Sequence, residues 1–491
     1  MMHRRWIVAL LVVLSGSRAA AQSYRARVDA RAQAVSFRGL VSDSVPLALV
    51  VPGANGGFVT ADGHAVRCGA GDYCFFFRPG PVLRGFPVTT SASVVVWGMG
   101  VPGLTLRAAG RLVGDVGGDD VWPGTAPAAQ LLDGYLEYER SAFVVRGGRQ
   151  LISSRLEPIG FDGGWLKYRW DDAALELVGY AGWGLGQSAA LPVSSPALNP
   201  LDEWRPRDRQ ILGGLEAAWL WRAVDVRGEY RREIDPEGGH VVSERTGLSL
   251  GAPIGPLRAS GGFDYNLAEG HVGSADVTLT YVRRRYSITG GARRYRPYFS
   301  LWTLWSAFSP VPYNGAHLST DVRISDRLTF HGRGERYRYE DAEASTGLVP
   351  QLENDGWRAS GGATATAGTQ WTVNANVGIE RGPGASGRYA DGSVRWTPNA
   401  RYSVDVYGGA VGRPLELRYY DATSRWIGGR AEALVGTQQR VWADVALVGD
   451  ERDRPDASET SMTQVRLRAG VSVSFGTAAD RVPLPPGRPR Q

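Results

Sequence analysis

Several residue types and patterns are scarce in this chain, and each scarcity excludes a class of protein. The 491 residues include two cysteines, four methionines and a single lysine, Lys167. After residue 21, no stretch approaches the roughly 18 consecutive apolar residues that a transmembrane helix requires. Motifs for zinc peptidases, serine hydrolases and nucleotide binding are absent, and His240, His271, His317 and His331 are scattered along the chain. We therefore expect no enzyme, no metal, no cofactor and no helical membrane protein.

Charge is limited as well. The formal net charge of +6 is small for this length, and no basic cluster with interleaved aromatic residues appears. We therefore expect no nucleic-acid partner.

Glycine and aromatic residues are abundant instead. The chain contains 65 glycines, 16 tryptophans and 20 tyrosines. Glycine is a frequent turn residue, and tryptophan and tyrosine are enriched at membrane interfaces. This composition favours strands, tight turns and interfacial side chains over a helical core.

The first residues have the three parts of a secretory signal peptide. Arg4 and Arg5 precede an apolar run at residues 6–14, and Ala19 to Ala21 fit a small-residue cleavage site. The apolar run is too short to span a bilayer. We predict that residues 1–21 are removed on export.

Residues 463–475 show the pattern that dominates the rest of the chain. Val465 and Leu467 fall on one face of a strand, and Gln464 and Arg468 fall on the other, because successive side chains of a strand point to opposite faces. Such a series, without helical domains between its members, is typical of a transmembrane β-barrel, with apolar side chains toward lipid and polar ones toward the lumen. The same alternation recurs in segments of about ten residues, for example at 224–231, 257–267 and 371–380.

The connections between these segments alternate between short and long. Barrels of this kind have short periplasmic turns and long external loops. The predicted fold is therefore all-β: a transmembrane antiparallel up-and-down β-barrel of about 22 strands, within a range of about 18 to 22, with no large plug domain and both termini in the periplasm. Short connections are predicted at 325–326, 368–369, 397–400 and 437–439, and long ones at 186–207, 340–356, 411–424 and 449–462.

Two segments differ from the barrel, which is predicted to span residues 22–475. Residues 38–85 are predicted to form a long external loop or a partial plug. This segment contains Cys68 and Cys74, which we expect to form a local disulfide because an exported chain meets an oxidising compartment. Metal binding is less favoured, since two cysteines are half of a usual site. Residues 476–491, rich in proline and arginine, are predicted to be a disordered periplasmic tail.

The polar faces of the strands supply candidate pore-lining residues. Charged rings favour ions of opposite sign, and arginine slightly outnumbers the acids, so we expect a mild anion preference. The alternative is that these side chains are only the solvated wall of a wet lumen, with cross-strand ion pairs that contribute little. The candidates are Asp225, Arg227, Glu229, Arg231, Arg258, Asp264, Asn374, Asn376, Glu380, Arg440, Asp444, Arg466 and Arg468.

Residues 297–313 combine prolines with many aromatic side chains. Alternation of the connections requires an external loop at 297–312. Its aromatic residues could fold inward as a constriction, stack on sugar rings or dock a partner protein, and the alternative is a further lipid-facing strand. The aromatic residues are Tyr298, Phe299, Trp302, Trp305, Phe308 and Tyr313.

Three resemblances follow from these features. The signal peptide, the repeated two-faced strands and the final Val-Ser-Val-Ser-Phe resemble Gram-negative outer-membrane β-barrels, although residues 476–491 follow the terminal aromatic that the barrel-assembly machinery reads. More narrowly, Arg-Gly-Gly-Arg-Gln at 146–150 with Gly-Phe-Asp-Gly-Gly at 160–164 resembles a hairpin of porins and alginate-export barrels. The cysteine pair in an unplugged barrel resembles the porins that sheathe multihaem cytochromes. This chain lacks Cys-x-x-Cys-His, so any haem would belong to a partner.

The resemblances imply a porin-like channel in the outer membrane of a Gram-negative-type bacterium, passing small hydrophilic solutes through a polar, mildly arginine-rich lumen. One alternative is a barrel sheath for a multihaem cytochrome in electron transfer across the outer membrane. Another is a polysaccharide-export pore, which would have a dense inward arginine belt at one level. The expected partners are outer-membrane lipid and lipopolysaccharide, the barrel-assembly machinery during biogenesis and, for a sheath, the cytochrome.

Overall fold

A computed structural model describes residues 23–53, 58–117, 129–185, 210–295, 313–340, 355–382, 387–414, 421–453 and 461–477. The predicted signal peptide lies outside these ranges, as do residues 478–491 of the predicted tail and the aromatic segment 296–312. No helix within the described ranges is both long enough and apolar enough to cross a membrane.

Nearly all of the described chain is β-strand. Two short 3-10 helices, at Leu47–Leu49 and Asp171–Ala173, interrupt it. The strands are β1 (Ser23–Pro46), β2 (Val51–Pro52), β3 (Phe58–Val59), β4 (Arg67–Cys68), β5 (Tyr73–Gly85), β6 (Pro87–Trp97), β7 (Leu104–Asp115), β8 (Ala129–Glu139), β9 (Phe143–Ile152), β10 (Ile159–Trp170), β11 (Leu175–Gly184), β12 (Ile211–Trp221), β13 (Val224–Ile234), β14 (Val241–Ile254), β15 (Leu257–Asn266), β16 (His271–Val282), β17 (Tyr286–Tyr295), β18 (Tyr313–Ser325), β19 (Leu328–Tyr339), β20 (Asp355–Ala367), β21 (Trp371–Arg381), β22 (Gly387–Asn399), β23 (Tyr402–Pro414), β24 (Asp421–Leu434), β25 (Gln439–Asp453) and β26 (Met462–Gly476).

The strands close into an antiparallel barrel. Each of β7 to β25 pairs with the strand before it and the strand after it, and β1 pairs with both β26 and β6, which closes the cylinder. The wall therefore has 22 strands, formed by β1 and β6 to β26. The predicted all-β barrel and its strand number are confirmed. Among the described residues no separate domain fills the lumen.

The two faces of the wall differ as the alternation predicts. On β26, the side chains of Val465 and Leu467 are 56% and 51% exposed, whereas Gln464, Ser472 and Ser474 on the other face are buried. The exposed apolar side chains belong to the outer face, where hydrocarbon replaces water, and the polar face turns inward. This assignment holds along the wall because consecutive strands pair residue by residue over most of their length, with single shifts such as the one between Asp264 and Tyr265.

The two ends of the barrel also differ. The strands from β6 onward are joined alternately by short turns at one end and by longer connections at the other. Ser23 and Gly476 lie at the turn end, where the Tyr24 amide donates to the Thr477 hydroxyl at 2.8 Å. Turns of two or three residues require unusual backbone angles, which Arg222 (φ 55°) and Gly368 (φ 61°) provide.

An aromatic girdle marks the outer face at the turn end. Trp219 stacks on Trp221 with ring centroids 6.0 Å apart, and Trp371 stacks on Trp396 at 5.9 Å. These rings flank short turns, and Trp219, Trp221 and Trp371 are each at least 42% exposed. Such girdles lie at the membrane–water interface, so the turn end meets one surface of the bilayer.

The first hairpin continues beyond the wall as a two-stranded arm. β1 pairs with β6 as far as Ala32 opposite Val88, and then with β5 from Val35 opposite Gly85 to Pro46 opposite Tyr73. Much of residues 38–85 is therefore strand rather than irregular loop, because the ladder continues in register past the wall. From Val35 to Pro46 the arm is about 40 Å long if fully extended. Cys68 and Cys74 are joined by a disulfide near its tip, and His64 stacks on Phe76 at 5.3 Å.

Candidate functional site: the charged lumen and its crossbar

Cross-strand ion pairs cover the inner wall. Because opposed residues of neighbouring strands lie close together, an acid on one strand meets a base on the next. Arg395 binds Asp405 at 2.8 Å and Arg468 binds Asp444 at 2.8 Å. Looser pairs join Lys167 to Glu176 and Arg227 to Glu216, each at 3.3 Å. The wall is thus a lattice of fixed, largely compensated charges.

Among the connections that the structure describes, one enters the lumen. Residues 153–158, here called the crossbar, join β9 to β10 at the loop end and contact the inner faces of β13 to β16. The amides of Arg155 and Leu156 donate to the carboxylate of Glu229 at 3.3 and 3.4 Å. The Leu156 carbonyl accepts hydrogen bonds from Arg231 and Arg245. The crossbar is therefore held by its own backbone groups.

Side chains of the crossbar strengthen this attachment. The Arg155 guanidinium binds Asp276 on β16 at 2.5 Å. Leu156 is fully buried, and its Cδ2 would lie 3.1 Å from a Cβ added at Gly247. A Cβ added at Gly262 would lie 2.9 Å from the Arg155 guanidinium. These two glycines let the crossbar approach the wall closely.

The charges beneath the crossbar are buried and paired with one another. Arg245 binds Asp264 at 2.9 Å, and both side chains are at most 4% exposed. Asp264 also accepts a hydrogen bond from Ser274. Burial of this kind is tolerated only when partners are present, and removing one partner leaves an uncompensated charge. Burial also raises the pKa of the Glu157 carboxyl in the crossbar, against the opposing charges of Arg245 and Arg231.

A second cluster lies on β17 to β21. Glu335 has a fully buried side chain and accepts hydrogen bonds from Arg293 and from Arg358, the latter through Nε at 2.9 Å and Nη2 at 2.7 Å. Arg333 lies 3.6 Å away. One carboxylate thus faces three guanidinium groups, which makes this part of the wall locally positive. Next to it, the Tyr337 hydroxyl donates to Glu380 at 2.9 Å.

The structure brings some of the sequence-predicted residues together and leaves others apart. Glu229, Arg231 and Asp264 meet at the crossbar, and Arg468 and Asp444 share Tyr407, which donates to Asp444 at 2.8 Å. All the candidates lie on the polar face of their strands, by the register of their neighbours.

Other candidates form hydrogen bonds or have no salt-bridge partner among the described residues. Asn376 donates to Asp391 at 2.9 Å, and Asn374 accepts from Thr364 at 2.9 Å. Within the described ranges, no carboxylate lies within salt-bridge distance of Arg258, Arg440 or Arg466, and no base lies that close to Asp225. The Nε atoms of Arg440 and Arg466 are buried without a hydrogen-bond partner there.

Sequence reasoning missed the residues that build both clusters. It assigned no function to the residues between 150 and 160, so Arg155, Leu156 and Glu157 received no role. Glu335 was overlooked because the outer face of β19 also carries arginines, which blurs the alternation, and its partners Arg293 on β17 and Arg358 on β20 were overlooked with it. The sequence does mark the hairpin that carries the crossbar, because the motif at residues 146–150 and 160–164 resembles a porin hairpin. There Arg149 binds Asp162 through two hydrogen bonds, at 2.7 and 2.9 Å.

Most of the predicted aromatic loop lies outside the described residues, including Tyr298, Phe299, Trp302, Trp305 and Phe308. Tyr313 is the first residue of β18 and belongs to a group of four tyrosines. Its ring lies 5.8 Å from Tyr295, 6.0 Å from Tyr337 and 5.7 Å from Tyr339. Within the described chain, no group of three or more His, Cys, Asp or Glu side chains could hold a metal ion.

Comparison with known proteins identifies the fold. No protein-family model and no curated protein matches the sequence. Among solved structures, the siderophore receptor PirA from Pseudomonas aeruginosa matches at 11% identity, covering 93% of this chain and 80% of that one, with a TM-score of 0.52. A mutant of the ferric enterobactin receptor PfeA from the same organism matches at 10% identity over 94% and 82%, with a TM-score of 0.55. OccAB2 from Acinetobacter baumannii covers 94% and 100% at 8% identity, with a TM-score of 0.37. The chain therefore has an outer-membrane β-barrel fold.

Proposed function

We propose that the protein is a porin-like channel of the outer membrane that passes small hydrophilic solutes through its lumen. The observation that carries this proposal is the closed 22-strand wall with ion-paired charges on its inner face and, among the described residues, no domain inside it. A wall of that circumference encloses more space than its own side chains fill.

The crossbar supplies the narrowing that a selective channel needs. It crosses from β9 and β10 toward β16 and is anchored to buried charges, so it restricts one side of the lumen. Solutes would pass between the crossbar and the rest of the wall, including the cluster of Glu335, Arg293 and Arg358 on the strands that follow β16.

A mild preference for anions follows from the unequal pairing of the charges. Most inner acids have a guanidinium partner, whereas Arg440 and Arg466 on adjacent strands have no carboxylate within salt-bridge distance among the described residues. The uncompensated positive charge would favour small anions, modestly, because water screens it.

The two alternative functions receive less support. A cytochrome would need the space that the crossbar occupies. A polysaccharide-export pore would have a belt of uncompensated arginines at one level, whereas the arginines beneath the crossbar and beside Glu335 have acidic partners.

Reconstitution into planar bilayers tests the proposal. The purified full chain is expected to give stepwise ion currents without any partner, with a reversal potential that indicates a modest anion preference in a salt gradient. Swelling of proteoliposomes in sugars of increasing size would give the exclusion limit. Folded protein that inserts but carries no current would refute a channel and would favour a sheath.

A further inference from the structure

A groove on the outer wall is separate from the lumen. It lies across β16 to β19 and consists of two adjoining cavities of about 400 and 630 Å³ that share Ala316 and Arg336. The groove exists because small residues line it. Ala275, Ala292 and Ala316 line the half nearer the loop end, and Gly332 and Gly334 line the other.

Three arginines rim the loop end of the groove. Glu335 and Tyr337 are buried on the inner face of β19. Arg336 lies between them and Arg338 follows Tyr337, so both arginines project outward. Arg294 follows the inward Arg293 and therefore also projects outward. Arg294 pairs with Asn314, and Asn314 pairs with Arg338, which places the two arginines in one lateral row about 10 Å apart.

The charges of this rim are only partly compensated. Arg294 binds Glu340 at 2.7 Å. Arg336 and Arg338 are exposed, and neither forms a salt bridge with a described carboxylate; Asp355, opposite Arg338 on β20, is an acid that lines the same cavity. A cation on the lipid face costs least near the membrane interface. The arginines lie at the loop end, opposite the aromatic girdle, which puts them at the level of the outer-leaflet headgroups.

We propose that this groove binds a phosphorylated anionic lipid of the outer leaflet. Its phosphates would bind Arg336 and Arg338, with Arg294 beside them, and an acyl chain would lie along Ala316, Gly332 and Gly334. Guanidinium groups bind phosphate through paired hydrogen bonds, which suits Arg336 and Arg338, since neither forms a salt bridge with a described residue. Basic sites between membrane-spanning elements recognise lipid headgroups in the same way. The site is independent of the channel, because all these side chains project from the outer face.

Native mass spectrometry of the delipidated full chain, titrated with bisphosphorylated lipid A in detergent, tests the assignment. The double variant Arg336→Ser/Arg338→Ser is expected to weaken binding about tenfold or more. Gly334→Leu should do the same by filling the groove. A Cβ at Gly334 meets nothing within 4 Å, so this variant should fold.

Matched controls separate the groove from general effects. Gly228→Leu adds the same side chain at another outward glycine with open space around it. Arg388→Ser/Arg425→Ser removes the same charge from the outer face of β22 and β24. Both controls should bind as the wild type does, and all variants should keep heat-modifiable migration in gels and wild-type conductance.

Three results would overturn the proposal. The first is unchanged lipid A binding in both groove variants. The second is equal loss in Arg388→Ser/Arg425→Ser, which would show a nonspecific effect of charge. The third is equal binding of a lipid A from which both phosphates have been removed. If the double variant does not fold, Arg338→Gln is to be compared with Arg388→Gln on the same three criteria.

Discussion

Arg155 of the crossbar binds the carboxylate of Asp276 on β16, across 121 residues of sequence. This contact ties the far end of the crossbar to the wall, while Glu229 and the two arginines of β13 and β14 hold its backbone.

Breaking this contact should widen the channel. Arg155→Ala and Asp276→Asn are each expected to raise single-channel conductance, because the crossbar loses one of its attachments. The double variant should add little to either single variant, since both remove the same interaction. Arg395→Ala, which breaks an inner ion pair away from the crossbar, is the control. Equal increases in all variants would show that wall charge, and not crossbar position, sets conductance.

Crowding at Gly247 should displace the crossbar. Leu156 is fully buried, so a Leu156→Cys variant is expected to react slowly with a water-soluble thiol reagent. Adding Gly247→Val should accelerate labelling, because even a Cβ there lies 3.1 Å from the position of the Leu156 side chain. Gly228→Val in the same Leu156→Cys background is the matched control. Rapid labelling without any second substitution would mean that the crossbar is not packed against the wall.

Ion selectivity should depend on pH through Glu157. Its pKa is raised by burial, so it loses its charge earlier than an ordinary glutamate as the pH falls. The lumen then gains net positive charge, and the anion-to-cation permeability ratio should rise. In Glu157→Gln this step should be absent and the ratio at neutral pH already higher. Reversal potentials across the acidic pH range measure this permeability ratio. Identical curves of the ratio against pH for the wild type and Glu157→Gln would contradict the prediction.

The same shift fixes the sign of the stability effect. Since burial places the folded-state pKa of Glu157 above its unfolded value, its contribution to stability is complete below the unfolded pKa. That contribution is lost as the pH rises through the folded value.

The disulfide should stabilise the arm without affecting the fold of the barrel. Among the described residues, the arm beyond Ser36 forms strand pairs only with itself, so its tip depends on local contacts. Cys68→Ser/Cys74→Ser is expected to accelerate proteolysis within residues 47–72 while the barrel keeps its heat-modifiable migration. Loss of that migration would instead show that the arm is required for closure.

Substitution on the outer face should be costly at the middle of the wall. Val377 is 59% exposed near the centre of β21. Val377→Arg should destabilise the folded barrel by about 2–4 kcal/mol if this position lies at the bilayer midplane. Asn374→Arg, on the inner face of the same strand, should cost much less. Unfolding by guanidinium in lipid vesicles measures both, and equal costs would contradict the assignment of faces.

The sequence predicted the wall well because each strand carries its own evidence. In β15, residues from Leu257 to Asn266 alternate without interruption, and the register of one strand fixes that of the next. The alternation of turns and loops then gave the strand number. Turn boundaries were less accurate: the predicted turn at 397–400 lies partly within β22, which runs to Asn399.

The crossbar could not be predicted in the same way. Its contacts join residues 155–157 to strands more than 70 residues away, and no local pattern encodes such pairing. From the sequence, Arg245 and Asp264 are indistinguishable from solvated side chains of the lumen. Alternation shows which face a residue lies on, but it does not show whether another segment buries that residue. The arm was missed for a related reason: β1 keeps its strand character beyond the point where its neighbours stop.

Closure through β1 and β26 has a consequence for biogenesis. The strand made first finds its second neighbour only in the strand made last, from Arg25 opposite Gly476 to Ala34 opposite Leu467. Until residue 476 has been synthesised, an inserted chain would expose two unpaired strand edges to hydrocarbon. Each backbone amide without a hydrogen-bond partner there costs several kcal/mol. The chain must therefore be synthesised through β26 before the barrel can close in the bilayer.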